Sequence, residues 1–284
     1  MNQISSIVRV VTGTSNPKRH ELDSLGSPAK FAYEWTSFPD LIPEYERQFE
    51  GWVSSVDPSA FDGAYVVDAG CGTGRNSFWA SRWGARRVFA FDVTTSTVEV
   101  ARRNLMTTPH VEVACESIYL CELPDDEMAD IAMSIGVVHH LADPQLAVER
   151  LIYLVRPGGQ VLLWVYAREG NEWLLRYLTP LRALSSRLPM RISNCLATIL
   201  TCALLLYCKT PLPKTMYLRQ VSSFQFWHLK SIVLDQLFPK IAHYWSRSEV
   251  LALLEEVGLD EISIKWVNGM SWSISGKKPL TRIP

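Results

Sequence analysis

Ten consecutive residues constrain this chain more than any others: Val66-Val67-Asp68-Ala69-Gly70-Cys71-Gly72-Thr73-Gly74-Arg75. Apolar residues run straight into three glycines spaced two apart, and a helical pattern follows from Asn76 to Trp83. A second apolar run, Val88-Phe89-Ala90-Phe91, ends at Asp92. The order is strand, glycine-rich turn, helix, strand, acidic residue, which is how a doubly wound α/β domain opens. Glycines at such a turn let the backbone bend tightly and let a ligand approach with no Cβ in the way. Asp92 stands where a carboxylate accepts both hydroxyls of a ribose.

The glycine spacing excludes a dinucleotide. A G-x-G-x-x-G fingerprint would put its third glycine at position 75, which is Arg. The third glycine is instead Gly74, and Asp68 precedes the turn. A carboxylate there repels a pyrophosphate but suits the ammonium group of an amino acid. The order Asp-x-Gly-x-Gly-x-Gly, with its preceding strand and the later acid, resembles motif I of the class I S-adenosylmethionine (SAM) methyltransferases. The resemblance covers about residues 60–166 and 244–276, with a cap from residue 30.

It implies SAM as the cofactor. Asp68, Ala69, Gly70, Cys71, Gly72 and Gly74 would then serve the amino-acid moiety, Asp92 the ribose and Val93 the adenine ring. After the third strand the family often shows Gly-Asp, and this chain has Glu116-Ser117-Ile118. Glu116 and Ser117 are both candidates for reading the adenine amino group, with Ile118 under the ring. Ser134, Ile135 and Gly136 resemble the segment beneath the methionine portion, and Tyr33 and Trp35 lie in the cap that covers the donor.

The expected fold is α/β: a doubly wound, seven-stranded, mainly parallel sheet with an N-terminal helical cap and a helical insertion after strand five. At 48% hydrophobic and 20% charged, the composition supplies a sizeable core. Residues 1–59 read as a flexible tail, loosely ordered to about residue 28, and then a cap of one or two short helices broken around Pro39 and Pro43. Residues 60–166 read as the SAM-binding core. Its strands are expected at 65–68, 88–92, 111–115, 129–135 and 160–166, the last introduced by the turn Arg156-Pro157-Gly158-Gly159. Residues 167–243 break the alternation and read as a largely helical apolar insertion, or lid. In 244–284, Ser246 and Glu249 form a capping box for a helix, and a closing hairpin is expected at 261–267 and 271–276.

Two segments fall where the acceptor of a doubly wound fold sits, at the carboxyl ends of the strands. Val137-Val138-His139-His140-Leu141 resembles the His-His-Leu segment of many small-molecule and quinone-type methyltransferases. His140 and His139 are therefore candidate general bases, although either could instead cap the following helix. The polar and aromatic mix at the end of strand five makes Tyr166, Glu169, Asn171 and Trp173 candidates for substrate recognition, against an ordinary loop-to-helix cap.

The leading reading is transfer of a methyl group to an O, N or C atom of a small molecule, lipophilic or glycosylated. The competing readings are a protein or RNA methyltransferase and a non-catalytic SAM-binding protein. A net charge of −1 speaks against nucleic acid as a partner. The absence of an Asn-Pro-Pro-Tyr-type tetrapeptide after strand four speaks against amide or exocyclic-amine methylation. Six cysteines without a CxxC pair read as reduced thiols, and no metal site is expected. No N-terminal apolar run has the length of a signal peptide, so a cytoplasmic location is expected. The apolar run 192–207 reads as a packed lid helix, as a membrane-facing helix, or least well as a true span, since a span wants about 20 apolar residues.

Overall fold

A computed structural model describes residues 17–210, 216–222 and 224–280. Among the described residues, three α-helices precede the sheet: α1 (Pro17–Leu25), α2 (Pro28–Ser37) and α3 (Glu44–Trp52). The doubly wound core follows as β1 (Tyr65–Ala69), α4 (Arg75–Arg82), β2 (Arg87–Asp92), α5 (Thr95–Leu105), β3 (Val111–Cys115), β4 (Ala129–Ile135), α6 (Pro144–Leu154) and β5 (Val155–Tyr166). The insertion is helical: α7 (Glu172–Ser185), α8 (Met190–Lys209), α9 (Met216–Val221) and α10 (Phe226–Leu237). The chain closes on α11 (Arg247–Glu256), β6 (Asp260–Val267) and β7 (Ser271–Lys277).

The seven strands are ordered β3-β2-β1-β4-β5-β7-β6. β1 to β5 pair in parallel, and β7 lies antiparallel between β5 and β6. The order reverses between β1 and β4, and this switch point opens a crevice at the carboxyl ends of the strands. β1 is buried along its whole length, as a strand covered on both faces should be. One face packs against α6 and α11 through Leu151, Leu154, Val250 and Leu254. The other face packs against α3 and α4 through Phe49, Trp52 and Ala80. Ser246 caps α11 with the reciprocal Glu249 bonds that a capping box requires.

Two expectations are corrected. Residues 17–25 are not loose tail: they form α1, and Leu22 and Asp23 reach the central cleft. The Arg156–Gly159 tetrapeptide does not precede β5 but lies inside it as a bulge. Ala129 pairs with Val155, whereas Ile131 pairs with Gln160, so the extra residues loop out of register. Gly158 accommodates this with φ +76°, a value that most side chains disfavour.

The insertion has a small core of its own, in which Ala197, Leu234, Leu237 and Phe238 are fully buried and Tyr33 and Phe38 of the cap region pack against them. α8 packs on α10, and α10 packs on α7 and α2. Cap and insertion therefore meet over the strand ends.

Candidate active site

The turn after β1 is built to bring backbone, not side chains, to the cleft. The Gly70 and Cys71 amides both donate to the Phe91 carbonyl, which folds the turn over the end of β2. Gly70, Gly72 and Gly74 all have positive φ. A Cβ on Gly70 would come within 2.5 Å of the Val137 side chain, so the turn and the loop after β4 are in close contact. Asp92 lines the cleft. Its Oδ2 accepts from the Gly72 amide at 3.2 Å, and its Oδ1 accepts from the Thr94 amide and hydroxyl, each at 3.3 Å. Burial raises its pKa, and those bonds partly offset the rise.

Asp68 is fully buried at the end of β1. The Ser77 hydroxyl donates to its Oδ2 at 2.6 Å, while Oδ1 has no partner among the described residues. Burial pushes its pKa to about 7. Arg75, the first residue of α4, faces the same cleft with its guanidinium 4.8–5.5 Å from the ring centres of Trp35, Tyr45 and Trp52. An unused buried acceptor at Asp68, a cleft-lining carboxylate at Asp92 and a cation at Arg75 fit an amino acid joined to a nucleoside. These residues would hold SAM, and Val93, Glu116 and Ile118 line the same cleft.

The same cleft runs on between cap and insertion, with a cavity volume of about 220 Å³. Its far end is walled by Trp164 and Tyr166 of β5 and by Ser231, Asp235 and Gln236 of α10. The Tyr166 hydroxyl donates to Asp235 Oδ2 at 2.6 Å and accepts from Gln236 Nε2 at 2.9 Å. Tyr244 stacks on Tyr166 and is held by the buried Arg182, whose Nη2 donates to its hydroxyl at 2.8 Å. Glu34 of the cap is buried, and its Oε1 accepts from the Ser231 hydroxyl at 2.6 Å. Its other oxygen has no partner among the described residues, and burial with Asp235 nearby raises its pKa well above the ordinary carboxylic range.

His140 lines this space in a single 3-10 turn after β4. Its Nδ1 lies 3.0 Å from the Ile241 carbonyl. A carbonyl only accepts, so Nδ1 carries the proton and Nε2 keeps its lone pair. Nε2 is buried and has no partner among the described residues. Burial lowers the His140 pKa, with Asp235 acting against that shift, so the ring is neutral at physiological pH.

The structure brings Gly70, Asp92, Val93, Glu116, Ile118, His140 and Tyr166 together on one cleft. Ile135 and Gly136, expected beneath the methionine portion, and Trp35 of the cap line it as well, whereas several other expected residues stand elsewhere. Tyr33 packs edge-on against Phe238, while its neighbours Glu34 and Trp35 take the cleft. His139 is buried beneath, its ring 4.0 Å from that of Tyr166, with both nitrogens unpartnered. Ser117 accepts from the Tyr119 amide, and Ser134 donates to the Ala69 carbonyl, so both hydroxyls are used within the fold. Ala69 is buried in β1, Cys71 is buried in the turn, and Gly74 packs against Leu105. A Cβ on Gly72 would lie 3.4 Å from the Trp35 indole.

Glu169 and Asn171 are bound into the scaffold. Glu169 accepts from the Arg247 amide at the start of α11, and Asn171 donates to the Ala167 and Met270 carbonyls. The Trp173 side chain lies outside the described residues. Sequence reasoning missed Glu34, Arg75, Ser231 and Asp235. A signal existed only for Arg75, as the first helical residue after the glycine turn.

The family described as "Methyltransferase domain" matches residues 67–163, which span β1 to β5. Together with the sheet order, this marks residues 67–163 as a methyltransferase domain on the class I, Rossmann-like, SAM-dependent methyltransferase fold. A ubiquinone biosynthesis O-methyltransferase of Salmonella arizonae is 28% identical over 166 residues, covering 56% of this chain and 67% of that protein. Its namesake in Alkalilimnicola ehrlichii is 31% identical over 128 residues, covering 41% of this chain and 51% of that protein. The crystal structure of human N-acetylserotonin methyltransferase in complex with SAM aligns with a TM-score of 0.51 at 16% identity, over 82% of this chain and 52% of that one. The chain thus spans about half the length of the last two. The likeness to the human structure is one of fold.

Asp68 gives a prediction. An acid whose folded pKa lies above its unfolded one stabilises the fold at low pH. That contribution is complete below the unfolded value of 3.8 and is lost as pH rises through about 7. An ammonium group beside Asp68 reverses the preference by favouring the carboxylate. SAM binding at about pH 6 should therefore release a proton, and this release should fade well above pH 7. Titration calorimetry in buffers of different ionisation enthalpy reads the release directly. Heats that do not depend on the buffer would remove Asp68 from the donor site.

Proposed function

We propose that the protein transfers the methyl group of SAM to an oxygen of a small, lipophilic acceptor, with His140 as general base. The observation that carries this reading is His140 on the cleft wall, with its tautomer fixed by the Ile241 carbonyl and its buried Nε2 left without a partner among the described residues. Bound SAM supplies an already activated methyl group on a sulfonium. The chain's residues must then hold the acceptor in line, keep water out and take one proton. Phe31, Trp52, Ile135, Leu141, Trp164 and Met270 give the cleft an apolar lining that suits a lipophilic body. Asp235, already accepting from Tyr166, offers a second polar anchor for the acceptor's hydroxyl end. The two relatives named as ubiquinone biosynthesis O-methyltransferases support an oxygen acceptor.

In this reading 60–166 and 244–284 form the donor core, and the 167–243 insertion is the lid that shapes acceptor choice. A cytoplasmic location with peripheral membrane contact through 192–207 belongs to it as well. The test is to incubate the purified protein with methyl-labelled SAM and lysate fractions. Label is expected in organic-extractable small molecules, as an ether that survives mild base. Label in protein or RNA would overturn the reading.

A further inference from the structure

We infer that the outward face of α8 docks the protein onto an anionic bilayer surface, with the helix lying in the plane of the headgroups. α8 is amphipathic the wrong way round for a helix in water. Its inward residues, at four-residue spacing, are Ser193, Ala197 and Thr201, all fully buried. Its outward stripe is Ile192, Ile199 and Leu206, which are 52%, 60% and 69% exposed, with Cys195 and Cys202 exposed between them. A surface helix normally turns its apolar stripe toward the core and its polar residues outward. Here the inward hydroxyls are satisfied within the helical layer: Ser193 donates to the Ser185 carbonyl and Thr201 to the Ala197 carbonyl. The outward stripe presents contiguous apolar surface to whatever lies outside.

Charge identifies the occupant. Between Glu172 and Asp235 the sequence has no acidic residue and eight Lys and Arg, in a chain whose net charge is −1. Arg187 and Arg191 precede or open α8, Lys209 closes it, and all three are exposed. An apolar stripe framed by cations is the pattern of a helix that sits at an anionic lipid surface. Exposed aromatic residues on the neighbouring helices, Tyr177 of α7 and Trp227 of α10, have the amphipathic rings that favour the headgroup region.

α8 is long and apolar enough to cross a membrane. Its packing argues for the surface instead. A crossing helix would have to give up the small core it shares with Leu234, Leu237 and Phe238, and would put Ser193 and Thr201 against acyl chains. The inference deepens the peripheral membrane contact proposed above, naming the lipid and the orientation, and would hold for any acceptor. Its functional weight comes from α10, which packs on α8 and carries Ser231, Asp235 and Gln236 of the cleft wall.

The experiment is flotation of the purified full chain with vesicles of phosphatidylcholine alone or mixed with phosphatidylglycerol. The protein should float with the mixed vesicles and weaken as salt rises, with at least about tenfold less binding to phosphatidylcholine alone. A triple variant, Ile192→Ser, Ile199→Ser and Leu206→Ser, should lose at least about tenfold in vesicle binding. Because these side chains are exposed, it should keep its melting temperature and its SAM affinity. Arg187→Gln with Arg191→Gln, which leaves the apolar stripe intact, should weaken binding to the mixed vesicles only. Equal flotation of the triple variant, or no flotation of the parent, would overturn the inference. So would protein that resists alkaline and high-salt extraction, which means a span, or a parent that dimerises through this face and ignores lipid. None of these results bears on the label-transfer test, so the two readings fail separately.

Discussion

Replacing Asp92 by alanine is expected to weaken SAM binding by about 100-fold or more. A ribose presents two hydroxyls, and a hydrogen bond to a charged group is worth about 1.5–3 kcal/mol. Two such bonds amount to about 3–6 kcal/mol, which is roughly two to four orders of magnitude in affinity. The structure adds a reason for the upper part of that range. Asp92 Oδ2 also holds the Gly72 amide, and Oδ1 holds Thr94, so the carboxylate shapes the turn as well as facing the cleft. Asp92→Asn, which keeps the shape and removes the charge, should fall between the parent and alanine. Titration calorimetry measures the loss, with thermal melting as the control for folding. SAM affinity unchanged in Asp92→Ala would show that the ribose sits elsewhere.

His140→Ala is expected to lower kcat by about 10²–10⁴ while leaving SAM affinity near that of the parent, since a positioned base contributes on that order. The pH profile separates a base from a merely structural histidine. Only the neutral ring accepts a proton, and burial holds the His140 pKa below the ordinary 6.5. The rate should therefore climb on the acid side with a midpoint below that value and stay flat through neutrality. His139→Phe is the comparison, because that ring is buried against Tyr166 away from the cleft. It should alter stability before it alters the pH profile. An unchanged acid limb in a folded His140→Gln variant would mean that the proton leaves by another route.

What could be read in the sequence was local. The segment from Val66 to Asp92 carries its strand, turn, helix and acid in consecutive residues, and each signals itself by apolar runs and glycine spacing. The capping box of Ser246 and Glu249 is equally self-contained. What could not be read depends on distant contacts. Glu34 is joined to Ser231 across 197 residues, and nothing near either residue announces the pairing. The aromatic spacing of the cap foretold a helix but not its orientation: of the two aromatics expected over the donor, Trp35 lines the cleft, whereas Tyr33 packs on Phe238 and Glu34 faces the cleft. The polar residues after β5 were read for a substrate, yet Glu169 and Asn171 spend their bonds on backbone that joins β5 to α11 and the final hairpin. A polar side chain at a strand end has backbone groups to satisfy before it is free for a ligand.

The cap and the insertion are fastened to each other as well as to the core. Lys30 donates to the Ser185 and Ser186 carbonyls, the Lys240 amide donates to the Ser27 hydroxyl, and Ser231 donates to Glu34. Two covers sewn together along one seam cannot part separately without breaking those bonds. On the proposed function, donor and acceptor would enter the cleft beneath that seam, so their entry and the departure of both products are expected to share one opening event.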